Sequence, residues 1–406
     1  MSGNGYEVIV LGLGAMGSAA AYHLAKNGNR VLGLDRFQPP HSFGSSHGKT
    51  RIIREAYFEH PSYVPLVQRA YELWFALEAE SGSKLLMPTG GLMIGLPEGA
   101  LVSGSKLSAE QHKLEHQVLS ATELRRRFPV FQPDDSAIGV WEPRAGILFP
   151  EKVIQTHLEM AAQAGAALNF NEPVLKWETD GDGVRVTTAT NTYSAERLLI
   201  TAGAWLGSFL NPSTERPASV RSVENSIRNR PKLELEIPLS LERQVLFWFE
   251  PIPAQAEPFQ PRTCPIFIWE YESGKFFYGF PDLGDGIKVA LHHQGERADP
   301  EHMQREVGEN EILEMKSLLQ RLLPTAAGRL KSHEVCIYTN TPDEHFIFDW
   351  HPAYHQVFVA SPCSGHGFKF SSVIGELAAK LLTNQRVSFD LSRFRIGRFQ
   401  NIAPAR

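Results

Sequence analysis

Cysteine is scarce: Cys264, Cys336 and Cys363 are the only three in 406 residues. An odd, sparse count argues against a disulfide framework and for a reducing compartment, so a cytoplasmic protein is the expectation. No basic segment followed by an apolar one opens the chain, and no secretory leader is expected. Long apolar runs are missing as well. The first, Val8 to Leu11, is far too short to span a bilayer. Neither sign of charge dominates; a net charge of −5 gives no reason to expect nucleic acid or an acidic membrane surface as a partner. Metal-binding spacing is lacking: H-E-x-x-H does not occur, and His292-His293 are adjacent, so no metal is expected. A G-x-S-x-G nucleophile elbow is absent too. There is no internal repeat and no low-complexity tract. What remains is an ordinary globular composition, 42% hydrophobic and 21% charged, in a chain long enough for two domains.

The stretch Tyr6 to Asp35 is the most informative part that is present. An apolar β run, Tyr6 to Leu11, leads into Gly12-Leu13-Gly14-Ala15-Met16-Gly17. An Ala-rich helix follows, then a second apolar run ending in Asp35. That order matches a dinucleotide-binding βαβ unit. Gly12 allows the tight turn, Gly14 lets backbone approach a pyrophosphate, and Gly17 lets helix and strand pack closely. Phosphates would sit on the N–H groups opening the helix, and Asp35 would accept from a ribose. The motif by itself serves FAD and NAD(P) equally.

Further along, Arg36-Phe37-Gln38-Pro39-Pro40-His41 leaves the second strand as a loop. Gly44-Ser45-Ser46-His47-Gly48-Lys49-Thr50-Arg51 reads as a second backbone clamp against a ligand. Apolar residues from Tyr63 to Leu77 fall at helical spacing, with Gly82 as terminator. Ser108 to His116 and Ser120 to Phe128 read as short helices, capped by Ser108 and by Ser120 or Thr122. A helix is expected from Pro150 to Gly165. A buried strand, Glu196 to Thr201, ends at Ala202-Gly203-Ala204-Trp205 and returns to the nucleotide-binding sheet. Asn211 to Lys232 is rich in Ser, Asn, Pro and Arg and reads as a surface excursion. Four β-rich runs at 244–249, 266–270, 276–280 and 287–291 suggest an antiparallel sheet.

The polar residues worth naming lie beside glycines and aromatics: His47, Thr50, Arg51 and Arg54; Tyr278, Lys288 and His292; Cys336 and Tyr338; His366 and Lys369. None is an acid. Brought together, they would favour an anion or a substrate bearing a carboxylate. Each also has a bland reading. Arg51 and Arg54 could be surface charges at a helix start. Lys288 could face out of its strand, with His292 four residues on and on the same face. Cys336, between apolar neighbours, could be an inert buried thiol. Gly365-His366-Gly367 precedes a helix from Ser371. Such a loop, aimed at a flavin, would stabilise the negative charge of its reduced ring; a nicotinamide has less use for it.

With these motifs assembled, the chain resembles the family of monomeric sarcosine oxidase and N-methyltryptophan oxidase, FAD-dependent oxidases of secondary amino acids. The likeness covers nearly the whole chain. It rests on Gly12-x-Gly14-x-x-Gly17 with Asp35, Pro39-Pro40-His41, Gly44 to Arg54, Tyr278-Gly279-Phe280-Pro281, Lys288 with His292, Cys336-Ile337-Tyr338-Thr339 followed by Asp343 to Ile347, and Ser364 to Phe370. The resemblance implies an α/β fold class. A Rossmann-like FAD-binding domain is expected from the discontinuous segments 1–88, 149–210 and 325–395. A second α+β substrate domain on an antiparallel sheet is expected from 89–148 and 211–324.

By resemblance, Cys336 holds FAD covalently through a thioether, Arg54 and Lys369 bind the substrate carboxylate, and Lys288 stands where oxygen is reduced. Arg51 lies near the flavin ring; Tyr278 and His292 line the substrate pocket. The cofactor-binding set so expected is Gly12, Gly14, Gly17, Asp35, Arg36, His41, Ser45, His47, Thr50, Arg51, Val174, Gly203, Trp205, Cys336, Gly365, His366, Gly367 and Lys369. The implied reaction oxidises the C–N bond of an N-methyl or other secondary amino acid to an imine that hydrolyses, with O2 reduced to H2O2. The implied partners are therefore an amino acid and O2, and a monomer is expected. The competing readings are an NAD(P)-dependent dehydrogenase, a flavin-binding protein without catalysis, and an oxidase of cyclic or glycated amino acids such as pipecolate or fructosyl amino acids. Two departures stand out. Ser46-His47 and Gly48-Lys49-Thr50 replace the His-His and Gly-Asp-Thr common in the family, and Lys49 reverses a charge. The stretch 211–232 is also longer than the family suggests, which could alter substrate choice.

Overall fold

The computed structural model describes residues 5–212, 235–252 and 256–399. The excursion expected at 211–232 lies, from residue 213 onward, outside the described residues. The chain divides into two compact units. The first takes Met1–Gly44, Ile154–Ser240 and Thr339–Arg406; the second takes Ser45–Val153 and Leu241–Tyr338.

In the first unit, five strands pair in parallel in the order Val357–Ser361, Thr192–Ile200, Tyr6–Leu11, Val31–Leu34, Ala167–Asn169. Ile347–Trp350 adds an antiparallel edge. The hairpin Val174–Asp180 and Gly183–Thr188 pairs with the first half of Thr192–Ile200. Central strands of such a sheet are covered on both faces, and accordingly Val8 to Leu11 and Val31 to Leu34 are buried without alternation. Helix Ala15–Lys26 packs its alanines against helix Ser371–Leu382. The approach is so close that a Cβ on Gly375 would fall 2.7 Å from the Ala19 Cβ.

The second unit is built on an eight-stranded sheet in the order Leu330–Asn340, Ser240–Phe249, Ile287–His292, Lys275–Phe280, Ile266–Glu272, Gly91–Gly95, Ile138–Glu142, Gln117–Ser120. The expected antiparallel character holds for most of it, but Ile266–Glu272 and Gly91–Gly95 run parallel. One face sends Phe247, Phe249, Phe277, Ile287 and Val289 into a core closed by Met315, Leu319 and Leu322 of helix Glu309–Leu322. A separate three-stranded sheet pairs Arg51–Ile53 and Leu86–Pro88 on either side of Gly146–Leu148. The helix expected from Pro61 to Gly82 forms as a 3-10 turn, Pro61–Tyr63, followed by the helix Val64–Ser81, and ends at Gly82 in the left-handed conformation. Ser120 caps the helix Ala121–Arg127, its hydroxyl accepting from Glu123 N–H while the Glu123 carboxylate accepts from Ser120 N–H.

One helix lies elsewhere than expected. Ala100–Gln111 replaces 108–116, and Ser108 sits buried near its end, its hydroxyl donating to the Tyr57 carbonyl. The helix start is fixed by the Glu270 carboxylate, which accepts from Leu101 N–H at 3.0 Å. A cap 169 residues away along the chain leaves no local signal.

Candidate functional site

In the first unit the Gly-rich turn is built as its sequence asks. Gly12 adopts φ +92°. A Cβ on Gly17 would lie 1.7 Å from the Gly12 carbonyl oxygen. Around Gly14, by contrast, there is open space among the described residues, and none of their side chains caps the helix that starts there. The first-turn N–H groups are thereby left to a ligand. Asp35 is buried at the end of its strand. Its carboxylate accepts from Leu13 N–H at 2.7 Å and Phe37 N–H at 2.8 Å, tying the turn to the second strand. Burial pushes its carboxyl up, against those two donors and His41; one lone pair on each oxygen remains for a ribose. Arg36 stacks over Phe37 and Trp205, and Phe37 also touches His41. Gly203 opens the turn carrying Trp205, and Val174 begins its hairpin strand, half-buried. These features fit a dinucleotide: an open helix N-terminus for phosphate, an acid for ribose, and aromatic faces beside it. Gly17→Ala is expected to destabilise the protein by about 3 kcal/mol through overpacking and to leave it without flavin. Thermal denaturation and the visible spectrum of the purified variant check this; a normally yellow Gly17→Ala would refute it.

The second glycine loop lies in the same unit. Its His366 imidazole Nε2 hydrogen-bonds the Glu344 carbonyl at 2.9 Å, and buried Lys369 donates to the His366 carbonyl at 2.7 Å. The helix does not follow the loop directly, because a 3-10 turn, Phe368–Phe370, intervenes between Gly367 and Ser371.

In the second unit, strand alternation assembles the other candidates. Leu246, Trp248, Tyr278, Ala290, Cys336 and Tyr338 share the sheet face opposite the aromatic core. Register sets Tyr278 against Ala290, Phe280 and Trp248 against Lys288, and Phe276 against His292. Lys288 is 2% exposed, not an outward lysine. Its Nζ donates to the Gly48 carbonyl at 2.6 Å, the Thr50 carbonyl at 2.9 Å and Thr50 Oγ1 at 3.0 Å. It lies over the rings of Trp248 and Phe280. Burial holds its ammonium well below the ordinary lysine value, and nearby Arg51 adds to this.

Arg51 donates to the Thr50 carbonyl at 2.8 Å and the Ser45 carbonyl at 2.6 Å, and the Ser45 hydroxyl donates to the Ile337 carbonyl. The segment expected as a backbone clamp is thus itself held, at Ser45, Gly48 and Thr50, by Arg51 and Lys288. Burial pushes the Cys336 thiol up, with Arg51 and Lys288 pulling against it. Burial likewise pushes Tyr278 up to about 12. Tyr278 and Tyr338 share a hydrogen bond, and His292 Nδ1 lies 3.3 Å from the Tyr338 hydroxyl.

Acids lie beside the acid-free set that the sequence singled out. Arg54, 1% exposed, donates through Nη2 to both carboxylate oxygens of Glu59, at 2.8 and 2.6 Å, and through Nη1 to the Ala56 carbonyl at 2.9 Å. It stacks over Tyr57 and Phe58. It follows a strand and does not start a helix, because Arg51–Ile53 is laddered to Gly146–Leu148. His47 Nδ1 lies 2.9 Å from Glu334 Oε2, and its buried Nε2 has no hydrogen-bond partner among the described residues. Glu59, Glu142 and Glu334 were missed. Glu334 was legible, two residues before Cys336 and so on the same strand face. Glu59 and Glu142 gave no periodic signal.

A parallel βαβ sheet with an open phosphate-binding turn, together with a unit presenting a buried cation and a thiol on one sheet face, defines a dinucleotide-dependent redox enzyme. A family model described as FAD dependent oxidoreductase (DAO) matches residues 7–381. The chain therefore belongs to the FAD dependent oxidoreductase family, and its cofactor is FAD. It is 43% identical over 380 residues to the monomeric sarcosine oxidase of Streptomyces avermitilis, covering 93% of each chain. It is 35% identical over 397 residues to the N-methyl-L-tryptophan oxidase of Yersinia pestis, covering 97% of this chain and 100% of the other. L-proline dehydrogenase from P. horikoshii shares the fold, with a TM-score of 0.80 at 18% identity over 99% of both chains. Among the described residues, no helix is long and apolar enough to cross a membrane.

Proposed function

We propose that this flavoenzyme oxidises N-methyl or other secondary amino acids, with O2 as the final electron acceptor and H2O2 as product. The observation that carries the reading is the buried ammonium of Lys288, fixed by three oxygens at 2.6 to 3.0 Å on the face that also bears Cys336 and Tyr278. A preorganised, desolvated cation is suited to a negative charge that develops during oxygen reduction. The sequence likeness to sarcosine and N-methyltryptophan oxidases supports the substrate class.

When bound, FAD supplies the two-electron acceptor for C–N oxidation. Gly12, Gly14, Gly17, Asp35 and the Gly365 to Gly367 loop would hold it. Arg54 and Lys369, each buried in its own unit, are the cations that the likeness to sarcosine oxidases assigns to the substrate carboxylate. Cationic groups nearby also favour the neutral amine over the ammonium, and the neutral form is the one that reacts. Tyr278 and His292 would line the pocket beside the amine. A panel of sarcosine, other N-methyl amino acids, pipecolate and fructosyl amino acids, read by peroxide release, tests the proposal. A flavin-loaded protein that releases no peroxide with any of them sinks it.

The same reading makes Cys336 the covalent tether, through a thioether to the flavin 8α carbon. Flavin is then expected to stay with wild-type protein after acid precipitation and to appear in the supernatant for Cys336→Ser. Retention by the variant would move the link elsewhere. A monomeric chain in a reducing compartment belongs to this proposal too; Cys264, Cys336 and Cys363 form no disulfide with one another.

A further inference from the structure

Two buried carboxylates beside Arg54 have no part in the chemistry above. Glu142 is 1% exposed and Glu55 is 3% exposed. Glu142 ends the strand Ile138–Glu142. Its Oε1 accepts from Glu55 N–H at 2.6 Å, and its Oε2 accepts from Ala56 N–H at 2.8 Å. Those two peptides directly follow Arg54. The residues preceding it, Arg51–Ile53, are laddered to Gly146–Leu148. One short stretch, 142–148, therefore grips the chain on both sides of Arg54. It does so through strand pairing before the arginine and through a carboxylate after it. The arginine closes the ring by donating from Nη1 to the Ala56 carbonyl at 2.9 Å.

We propose that Glu142 is a positioning residue for Arg54: by clamping the Glu55 and Ala56 N–H groups it fixes the Ala56 carbonyl, and with it the guanidinium, in the orientation that receives the substrate carboxylate. The inference rests on the reading that Arg54 binds that carboxylate. A clamp of two charge-assisted hydrogen bonds is far stiffer than the loop it holds. Placing it on a strand end, and not on the Arg54 loop itself, gives it a rigid base.

The clamp also titrates. Burial pushes the Glu142 carboxyl up to about 7, helped by Glu55 and opposed by the two N–H donors and Arg54. Among the described residues, the other charged or titratable groups facing this spot are Glu59, paired with Arg54; Arg144, 3.5 Å from Glu55; and Tyr57 and Tyr71, whose hydroxyls burial keeps protonated. Glu55 is itself raised by burial, against Arg144. Above about pH 7 Glu142 is ionised and the clamp is at full strength. Below it, the carboxyl is neutral and the clamp weakens. Carboxylate binding should therefore tighten as pH rises through about 7.

Propionate is a suitable probe, because it has no amine and does not titrate in this range. Its Kd is read from the flavin spectrum of holoenzyme between pH 6 and 9. Wild type is expected to bind several-fold more tightly at pH 8 than at pH 6. Glu142→Gln keeps an acceptor but no charge; it is expected to bind about tenfold more weakly at pH 8, the cost of a lost charged hydrogen bond, with no pH limb. Arg54→Met is measured alongside. If it binds propionate like wild type, the Arg54 reading itself is wrong. If Arg54→Met loses binding while Glu142→Gln keeps both wild-type affinity and the pH limb, the positioning role is wrong. A Glu142→Gln that weakens binding yet retains the limb shows a merely structural residue and also overturns the proposal. The wild-type profile alone suffices if the variant does not fold, since a flat Kd from pH 6 to 9 refutes the clamp.

Discussion

Replacing Lys288 by methionine will slow reoxidation of the reduced enzyme by O2 by roughly 10²- to 10³-fold, the usual cost of deleting one preorganised charge-stabilising donor. Reduction by the amino acid will stay within about tenfold of wild type. The asymmetry follows from the geometry. The ammonium is wholly buried, and its three donors are spent on Gly48 and Thr50 oxygens, so its position is fixed without a substrate. In such surroundings a unit charge acts on its neighbours far more strongly than in water. Methionine fills similar space over Trp248 and Phe280, so packing is largely kept. Anaerobic stopped-flow separates the two half-reactions, and equal slowing of both would remove Lys288 from the oxygen step. The pH dependence has a definite sign. The charged form is the useful one, and burial has moved its loss of charge well below the ordinary lysine range. Oxygen reactivity should therefore fall as pH rises through that lowered value, and Lys288→Met should lack this limb.

Arg54→Met should raise KM for sarcosine by roughly 10²-fold or more, the cost of removing one partner of a buried, hydrogen-bonded charge pair. Oxidation of a secondary amine without a carboxylate should change much less. The Arg54 guanidinium already spends Nη2 on Glu59 and Nη1 on Ala56. Arg54→Lys keeps the charge but loses the fork, so it should recover only part of the affinity. An equal loss on both substrates would mean that Arg54 holds the loop and does not bind the carboxylate. An unaltered KM would assign the carboxylate to another cation.

Much of this was legible in the sequence, for reasons that differ from residue to residue. The βαβ unit is local: strand, glycine turn, helix and Asp35 lie within thirty-odd residues, and each part needs only its neighbours. Strand alternation put Lys288 and His292 on one face but left open whether that face points out or in; the structure buries Lys288. Pairing between distant segments was not legible. For Arg54 a surface charge stayed open as the bland alternative because the partners that bury it, Glu59 and the strand Gly146–Leu148, show no periodic relation to it. The helix at 100–111 was misplaced for the same reason, its cap being Glu270. The acids around the cations were overlooked because carboxylates at irregular spacing read as solvated charge. Glu142, held at the end of a different strand, is the plainest instance.

The close crossing of helices Ala15–Lys26 and Ser371–Leu382 constrains how the enzyme is made. The first helix starts within the opening glycine motif, and the second follows the last one after a single 3-10 turn. Where they cross, Gly375 meets Ala19 with no room for a methyl group. During translation the amino-terminal motif leaves the ribosome some 350 residues before its packing partner. A nascent chain can thus shape the phosphate-binding turn early, with Asp35 to tie it, but lacks the helix that packs against Ala15–Lys26. Cofactor loading is therefore expected to be late, tied to completion of the helix Ser371–Leu382. A chain truncated shortly before residue 371 would lose its flavin along with its tail.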